Sequence, residues 1–156
     1  MNQIEFKENQ LVLRVKKSPL LGRILLYLIT FLSIALPIGG FIGNITSNIG
    51  LSFFHILFLF VFGFIAFYML RVSLWNTYGC ESIQFGNKKL TYVADYHWFK
   101  DKVKEFNFEN INYDIKQVGY EEDNQGVLVI KFDDDKVLKT VTKISMYDLE
   151  ILIRNL

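Results

Sequence analysis

The chain reads as an α+β membrane protein in which a transmembrane helical hairpin interrupts a β domain closed by one C-terminal helix. Three observations point there. From Ile24 to Leu70 the sequence contains no Asp, Glu, Lys or Arg. From Arg71 onward apolar and polar side chains alternate with the period of a half-buried strand. The same alternation fills residues 1–17, ahead of the uncharged run.

Ile4-Glu5-Phe6-Lys7 and residues 11–15 read as two strands around the turn-like Glu8-Asn9-Gln10. So small a hairpin is marginal alone, so these strands are expected to join the sheet that follows the uncharged run. That run is too long for one buried helix. Roughly 20 apolar residues cross a hydrocarbon core of about 30 Å, and the polar segment 43–50 divides the run into spans over 20–42 and 51–70. The expected organisation is N-terminal strands over 1–17, a two-helix hairpin over 18–71, and a β domain over 72–156 with its helix at 145–156.

Half of the residues (51%) are hydrophobic while 21% are charged, a mixture that means polarity is segregated along the chain. A net charge of +1 gives no general pull toward nucleic acid. The single cysteine, Cys80, excludes an intramolecular disulfide and suits a reducing compartment.

Lys7, Arg14, Lys16, Lys17 and Arg23 precede or open the first span, Arg71 closes the second, and the segment between the spans carries no charge. The positive-inside rule then places a two-span protein in the cell membrane with both termini cytoplasmic. Arg14, Lys16, Lys17, Arg23, Arg71 and Trp75 are the candidate contacts with the membrane surface, the bilayer being the first expected partner. Ala35, Gly39 and Gly43 recur every four residues and are expected to form a close helix-packing face toward Gly63 and Ala66. Pro37 falls inside the first span. His55 is an ionisable residue inside the second, a candidate by position alone. Neither span shows the polar stripe of a transport pathway.

In the water-facing part, strands are expected over 90–96, around Phe106 and Phe108, over 111–115, 127–132 and 137–143, with turns at Gly86-Asn87 and Asp133-Asp134-Asp135. Ser145-Met146-Tyr147-Asp148 resembles a capping box, and Met146, Leu149, Leu152, Ile153 and Leu156 follow at helical spacing. That apolar face is expected to cover the open end of a small β-barrel.

Strands on both sides of a membrane hairpin, then Leu74-Trp75-Asn76, Tyr78-Gly79-Cys80-Glu81-Ser82-Ile83, Leu90-Thr91-Tyr92, Phe108-Glu109-Asn110-Ile111 and a closing helix, form an order that resembles bacterial two-span membrane proteins carrying a pleckstrin-homology-like (PH-like) domain. The resemblance implies a split β-barrel capped by one helix and brings no catalytic residues with it. A weaker similarity of layout links the chain to the photosystem I assembly factor family.

No Walker loop, G-x-S-x-G elbow, H-E-x-x-H or C-x-x-C occurs. His55 and His97 are expected on opposite sides of the membrane, and Asp133, Asp134 and Asp135 lack the spacing and glycine of a calcium loop. The expectation is therefore a non-enzyme with no catalytic residue, metal, cofactor or small-molecule substrate. Its β domain is expected to dock another protein through sheet edges or the groove beside the last helix. The aromatic group Tyr96, His97, Trp98 and Phe99 is a further candidate surface. The alternative is a sensory or accessory subunit of a membrane enzyme or transporter, contacted through His55 and the small-residue helix face.

Overall fold

The computed structural model describes residues 3–47, 50, 52–133 and 136–156. In chain order these form β1 (Ile4–Lys7), β2 (Gln10–Arg14), α1 (Leu20–Thr46), α2 (Phe53–Tyr78), β3 (Cys80–Phe85), β4 (Lys89–Asp95), β5 (Lys100–Asn107), β6 (Ile111–Gln117), a 3-10 turn (Glu121–Asp123), β7 (Gln125–Phe132), β8 (Val137–Lys139), β9 (Ile144–Ser145) and α3 (Met146–Asn155). The chain divides into two compact units, Met1–Lys16 with Tyr78–Leu156, and Lys17–Thr77.

The first unit is α+β and wholly antiparallel. One sheet runs β1-β2-β3-β4-β5, and the other β6-β7-β8 with β9 also on β7. The ladder between β2 and β3 pairs Leu11 with Ile83 and Arg14 with Cys80, so strands from either side of the helical hairpin are direct neighbours. Period-two alternation makes this pairing specific, because a slip of one residue would turn Leu11 and Leu13 to the opposite face. Both are fully buried, as are Ile83, Leu90, Leu128, Ile130, Ile144 and Leu149. Each contributes on the order of 1.5–3 kcal/mol of burial.

The split barrel expected from the resemblance is not closed. Among the described residues no ladder joins an edge of one sheet to an edge of the other. The chain leaves β5 through a turn in which Asp133 Oδ2 accepts from the backbone N–H groups of Glu109 (2.8 Å) and Asn110 (2.6 Å). Those bonds hold the Asp133 carboxyl below its ordinary pKa and start β6 as the edge of a new sheet rather than as a partner of β5. Asp134 and Asp135 of the expected turn lie outside the described residues.

The expected last strand, 137–143, is also shorter. β8 stops at Lys139: Thr140 N–H still donates to Leu128 C=O (3.0 Å), but Leu128 N–H turns to the Thr140 hydroxyl (3.0 Å), which itself donates to Leu128 C=O (3.1 Å). α3 then begins at a true cap, in which Ser145 Oγ accepts from Asp148 N–H at 3.1 Å. Its face packs toward Gly126 of β7, where an added Cβ would lie 2.7 Å from Met146 Sδ and 2.8 Å from an Ile115 methyl. Only a residue without a side chain lets the helix approach there.

The second unit corrects the expected helix limits. α1 continues through the segment from Gly43 to Thr46, and α2 continues through Arg71, Trp75 and Asn76 to Tyr78, so Arg71 lies within a helix and not at its end. The strand pattern expected from Arg71 onward therefore begins only at Cys80, and within the helix Ser73 and Thr77 satisfy their hydroxyls by donating to the carbonyls of Met69 and Ser73.

Candidate functional site

Among the described residues β1 is an edge strand whose one hydrogen-bonded neighbour is β2. The bond from Arg14 N–H to Gln3 C=O (2.7 Å) sets the alternation, so the backbone groups of Ile4 and Phe6 point away from β2. The side chains of Ile4 and Phe6 continue the inner face of Leu13 and Leu11, yet Phe6 is 49% exposed. A groove of about 480 Å³ runs between this strand and α3, lined by Ile4, Phe6, Asp148, Ile151, Leu152 and Leu156. Positions 148, 151, 152 and 155 share one helix face, and the groove thus joins a row of unpaired backbone groups to an apolar trough. The opposite edge, β5, is guarded by the exposed Lys100, Lys102 and Lys104 and by a register shift.

Behind this face lies a buried carboxylate that strand patterning does not single out. Glu81 is completely buried on the inner face of β3. Its Oε1 accepts from Tyr92 O–H (2.5 Å) and Val141 N–H (2.9 Å), and its Oε2 from Val141 N–H (3.0 Å) and Thr142 N–H (2.7 Å). Glu81 therefore ties the first sheet to the segment between β8 and β9 and supplies the acceptors that a partner strand would have offered to a longer β8. Burial, reinforced by the neighbouring Glu81 charge, pushes the Tyr92 hydroxyl well above its ordinary pKa. Cys80 alongside is half-buried, and burial together with the nearby Asp95 raises its thiol pKa, the opposite of an activated nucleophile.

In the helical hairpin the close contact is polar. Ser18 Oγ donates to Asn76 Oδ1 at 2.9 Å, Tyr27 O–H to Thr77 Oγ1 at 3.4 Å, and the Thr30 and Ser73 hydroxyls meet at 3.2 Å. At the far end His55 Nε2 and the Asn44 amide are 2.5 Å apart. Ser52 N–H (3.2 Å) and Ser52 O–H (2.8 Å) both reach His55 Nδ1. Because a backbone N–H can only donate, Nδ1 is the bare nitrogen, Nε2 carries the proton, and the Asn44 amide must present its oxygen. His55 so acts as the reciprocal half of a cap at the start of α2 and as a tie to α1.

Thr30, Ser33 and Pro37 are the buried residues of α1, whereas Gly39 and Gly43 are exposed. A Cβ added at Gly39, Gly43 or Gly63 would meet nothing within 4 Å, although Ala66 is buried. The expected small-residue packing against α2 is therefore replaced by the polar one, because a hydroxyl or amide in an apolar setting gains more from a partner than backbones gain from close approach. The missed signal is a strict heptad, Arg23, Thr30, Pro37 and Asn44.

Of the remaining candidates, Arg14 bonds Glu5 through Nη2 (3.1 Å), Lys16 and Lys17 are exposed, and Arg23, Arg71 and Trp75 are partly buried. Both α1 and α2 are long and apolar enough to cross a membrane. Among the described residues no three His, Cys, Asp or Glu side chains gather as a metal set. Compared with protein-family models and with curated proteins, the chain matches none.

Proposed function

We propose that this is an integral protein of the cytoplasmic membrane, with two spans and both termini in the cytoplasm, whose PH-like β unit is a non-catalytic docking or assembly module. The observation that carries the reading is the open β1 edge beside the α3 groove. A partner segment entering in extended form would hydrogen-bond to Ile4 and Phe6 and lay alternate apolar side chains against Phe6, Ile151 and Leu152. Membrane insertion is supported by the apolar length of α1 and α2 and by the basic residues at the cytoplasmic ends assigned to them.

A photo-crosslinking amino acid at Ile151, irradiated in intact cells, should yield one discrete adduct that disappears when Phe6→Lys fills the groove with charge. A set of adducts unchanged by Phe6→Lys would defeat the docking reading. Reporter fusions at Ser47 and after Leu156 test the membrane part, since an external C-terminus contradicts it.

The exposed Gly39 and Gly43, on the face that also carries the half-buried Ala35, favour a second reading, an accessory subunit of a membrane enzyme or transporter whose helices pack there. Gly39→Leu should then release a co-purifying partner, whereas on the first reading it leaves partner binding intact.

A further inference from the structure

The turn between β4 and β5 is built to hold one aromatic side chain outward. Asp95 Oδ1 accepts from His97 N–H at 2.7 Å, and Tyr96 N–H donates to Phe99 C=O at 3.0 Å. The Tyr96 and Phe99 rings stack at 4.7 Å with their planes 13° apart. His97 adopts a left-handed backbone (φ +76°), a conformation costing a non-glycine residue on the order of 1–3 kcal/mol, and its ring stacks on Tyr78 at 5.1 Å. Trp98, held at the tip, is 69% exposed. A loop with two ring stacks, two turn bonds and a strained residue, yet with its largest apolar group in water, is poorly explained by folding alone.

The surroundings name the solvent it suits. Tyr78, on which the turn stacks, belongs to the β unit and follows Thr77, the last residue of the helical unit, directly in the chain. Lys100 and Lys102 follow Trp98 closely in the chain and are exposed. Tryptophan flanked by lysine is the pairing that favours a lipid–water interface. Indole offers an apolar body with one N–H donor, and the ammonium groups meet anionic headgroups.

We infer that the β4–β5 turn is a second membrane contact, in which Trp98 enters the headgroup layer of an anionic bilayer while Lys100 and Lys102 engage its surface. The inference rests on the membrane reading above and adds a lipid-binding site outside the spans. It gives the β unit a preferred orientation on the bilayer.

The chain has two tryptophans, Trp75 and Trp98, so each can be observed alone. The full chain with Trp75→Phe is reconstituted into vesicles of phosphatidylcholine and phosphatidylglycerol containing lipid brominated just below the headgroup. Trp98 emission should shift to the blue and fall about twofold, with protection from aqueous iodide. Replacing phosphatidylglycerol by neutral lipid, or Lys100→Gln with Lys102→Gln, should weaken the quenching. The companion Trp98→Phe, in which Trp75 alone emits, reports insertion itself. Quenching of Trp75 with an iodide-accessible, lipid-insensitive Trp98 overturns the inference and leaves the membrane reading standing. A Trp98 shielded from iodide but unaffected by brominated lipid also overturns it, in favour of a protein contact. Lipid-insensitive emission from both tryptophans overturns the membrane reading as well.

Discussion

Replacing Glu81 by Gln is the sharpest perturbation of the β unit, because it keeps the shape and removes an acceptor. The carboxylate receives Tyr92 O–H, Val141 N–H and Thr142 N–H and donates nothing. A glutamine with its oxygen at the Oε2 position keeps both N–H groups and turns its NH2 toward Tyr92, whose hydroxyl oxygen then accepts while its own proton loses its acceptor. The lost bond to a charged acceptor is worth about 1.5–3 kcal/mol, and the stranded O–H costs about 1–3 kcal/mol more. Relief from burying a charge offsets part of that. The net loss is about 2–4 kcal/mol, a large share of the roughly 5–15 kcal/mol that holds a domain together. Urea unfolding of the full chain in detergent, followed by the circular dichroism of the β unit, measures it. With a denaturant dependence of about 2 kcal/mol/M, the midpoint should fall by about 1–2 M. Tyr92→Phe alone should cost about 1 kcal/mol, and almost nothing in the Glu81→Gln background. A Glu81→Gln midpoint within about 0.3 M of the parent would refute the reasoning, since the clasp would then carry no net stability.

Three further outcomes follow from the same geometry. The raised pKa of Tyr92 means that the folded state holds this proton more tightly than the unfolded chain, so its contribution is complete below the unfolded value of about 10 and declines as pH rises beyond it. A titration of tyrosinate absorbance should show unfolding above that pH, and Tyr92→Phe should remove part of the alkaline sensitivity. Gly126→Ala should destabilise the β unit by about 1–3 kcal/mol, read as a lower thermal midpoint, because Met146, Ile115 and Leu149 converge on the added methyl; an unchanged midpoint would mean that α3 re-seats freely. Cys80 should react with iodoacetamide well below the rate of a free thiol at pH 8 and reach that rate only in denaturant, since its raised pKa leaves little thiolate.

Much of the framework was legible because it depends on periodicity. Ile4-Glu5-Phe6-Lys7, residues 111–115 and residues 127–132 alternate or run apolar strongly enough to mark strands, and Ser145 to Leu156 carries both a cap and a stripe. The last strand was drawn too long because Val137 to Lys143 alternates acceptably throughout. What stops it at Lys139 is the hydroxyl of its own Thr140, which takes the Leu128 N–H, and the distant carboxylate of Glu81, which takes the N–H groups of Val141 and Thr142. The split barrel expected from the resemblance takes the form of two antiparallel sheets for a similar reason, since a side chain 24 residues from Glu109, Asp133, sets where β6 begins. The polar seam of the hairpin was hidden by composition. Thr30, Ser33, Asn44, Ser73 and Thr77 are few among many apolar residues, and a count of hydropathy does not ask whether they share a face.

The open edge and groove lay partly within reach. Amphipathic strands at the N-terminus and an apolar C-terminal helix are visible locally. That β1 and α3 line one trough is not visible, because they lie at opposite ends of the chain and meet only through the order β1-β2-β3 and the packing of α3 over Gly126.

The uncharged run from Ile24 to Leu70, the strands on either side of it and the closing helix follow from local chemistry: charge exclusion, side-chain period and capping act between residues a few positions apart. The pairing of Leu11 with Ile83 across the hairpin, the clasp on Glu81, the partnership of Asn44 with His55 and the display of Trp98 are decided by folding in three dimensions. Each depends on which buried polar group finds its partner, a choice between distant residues that desolvation enforces once the chain is compact.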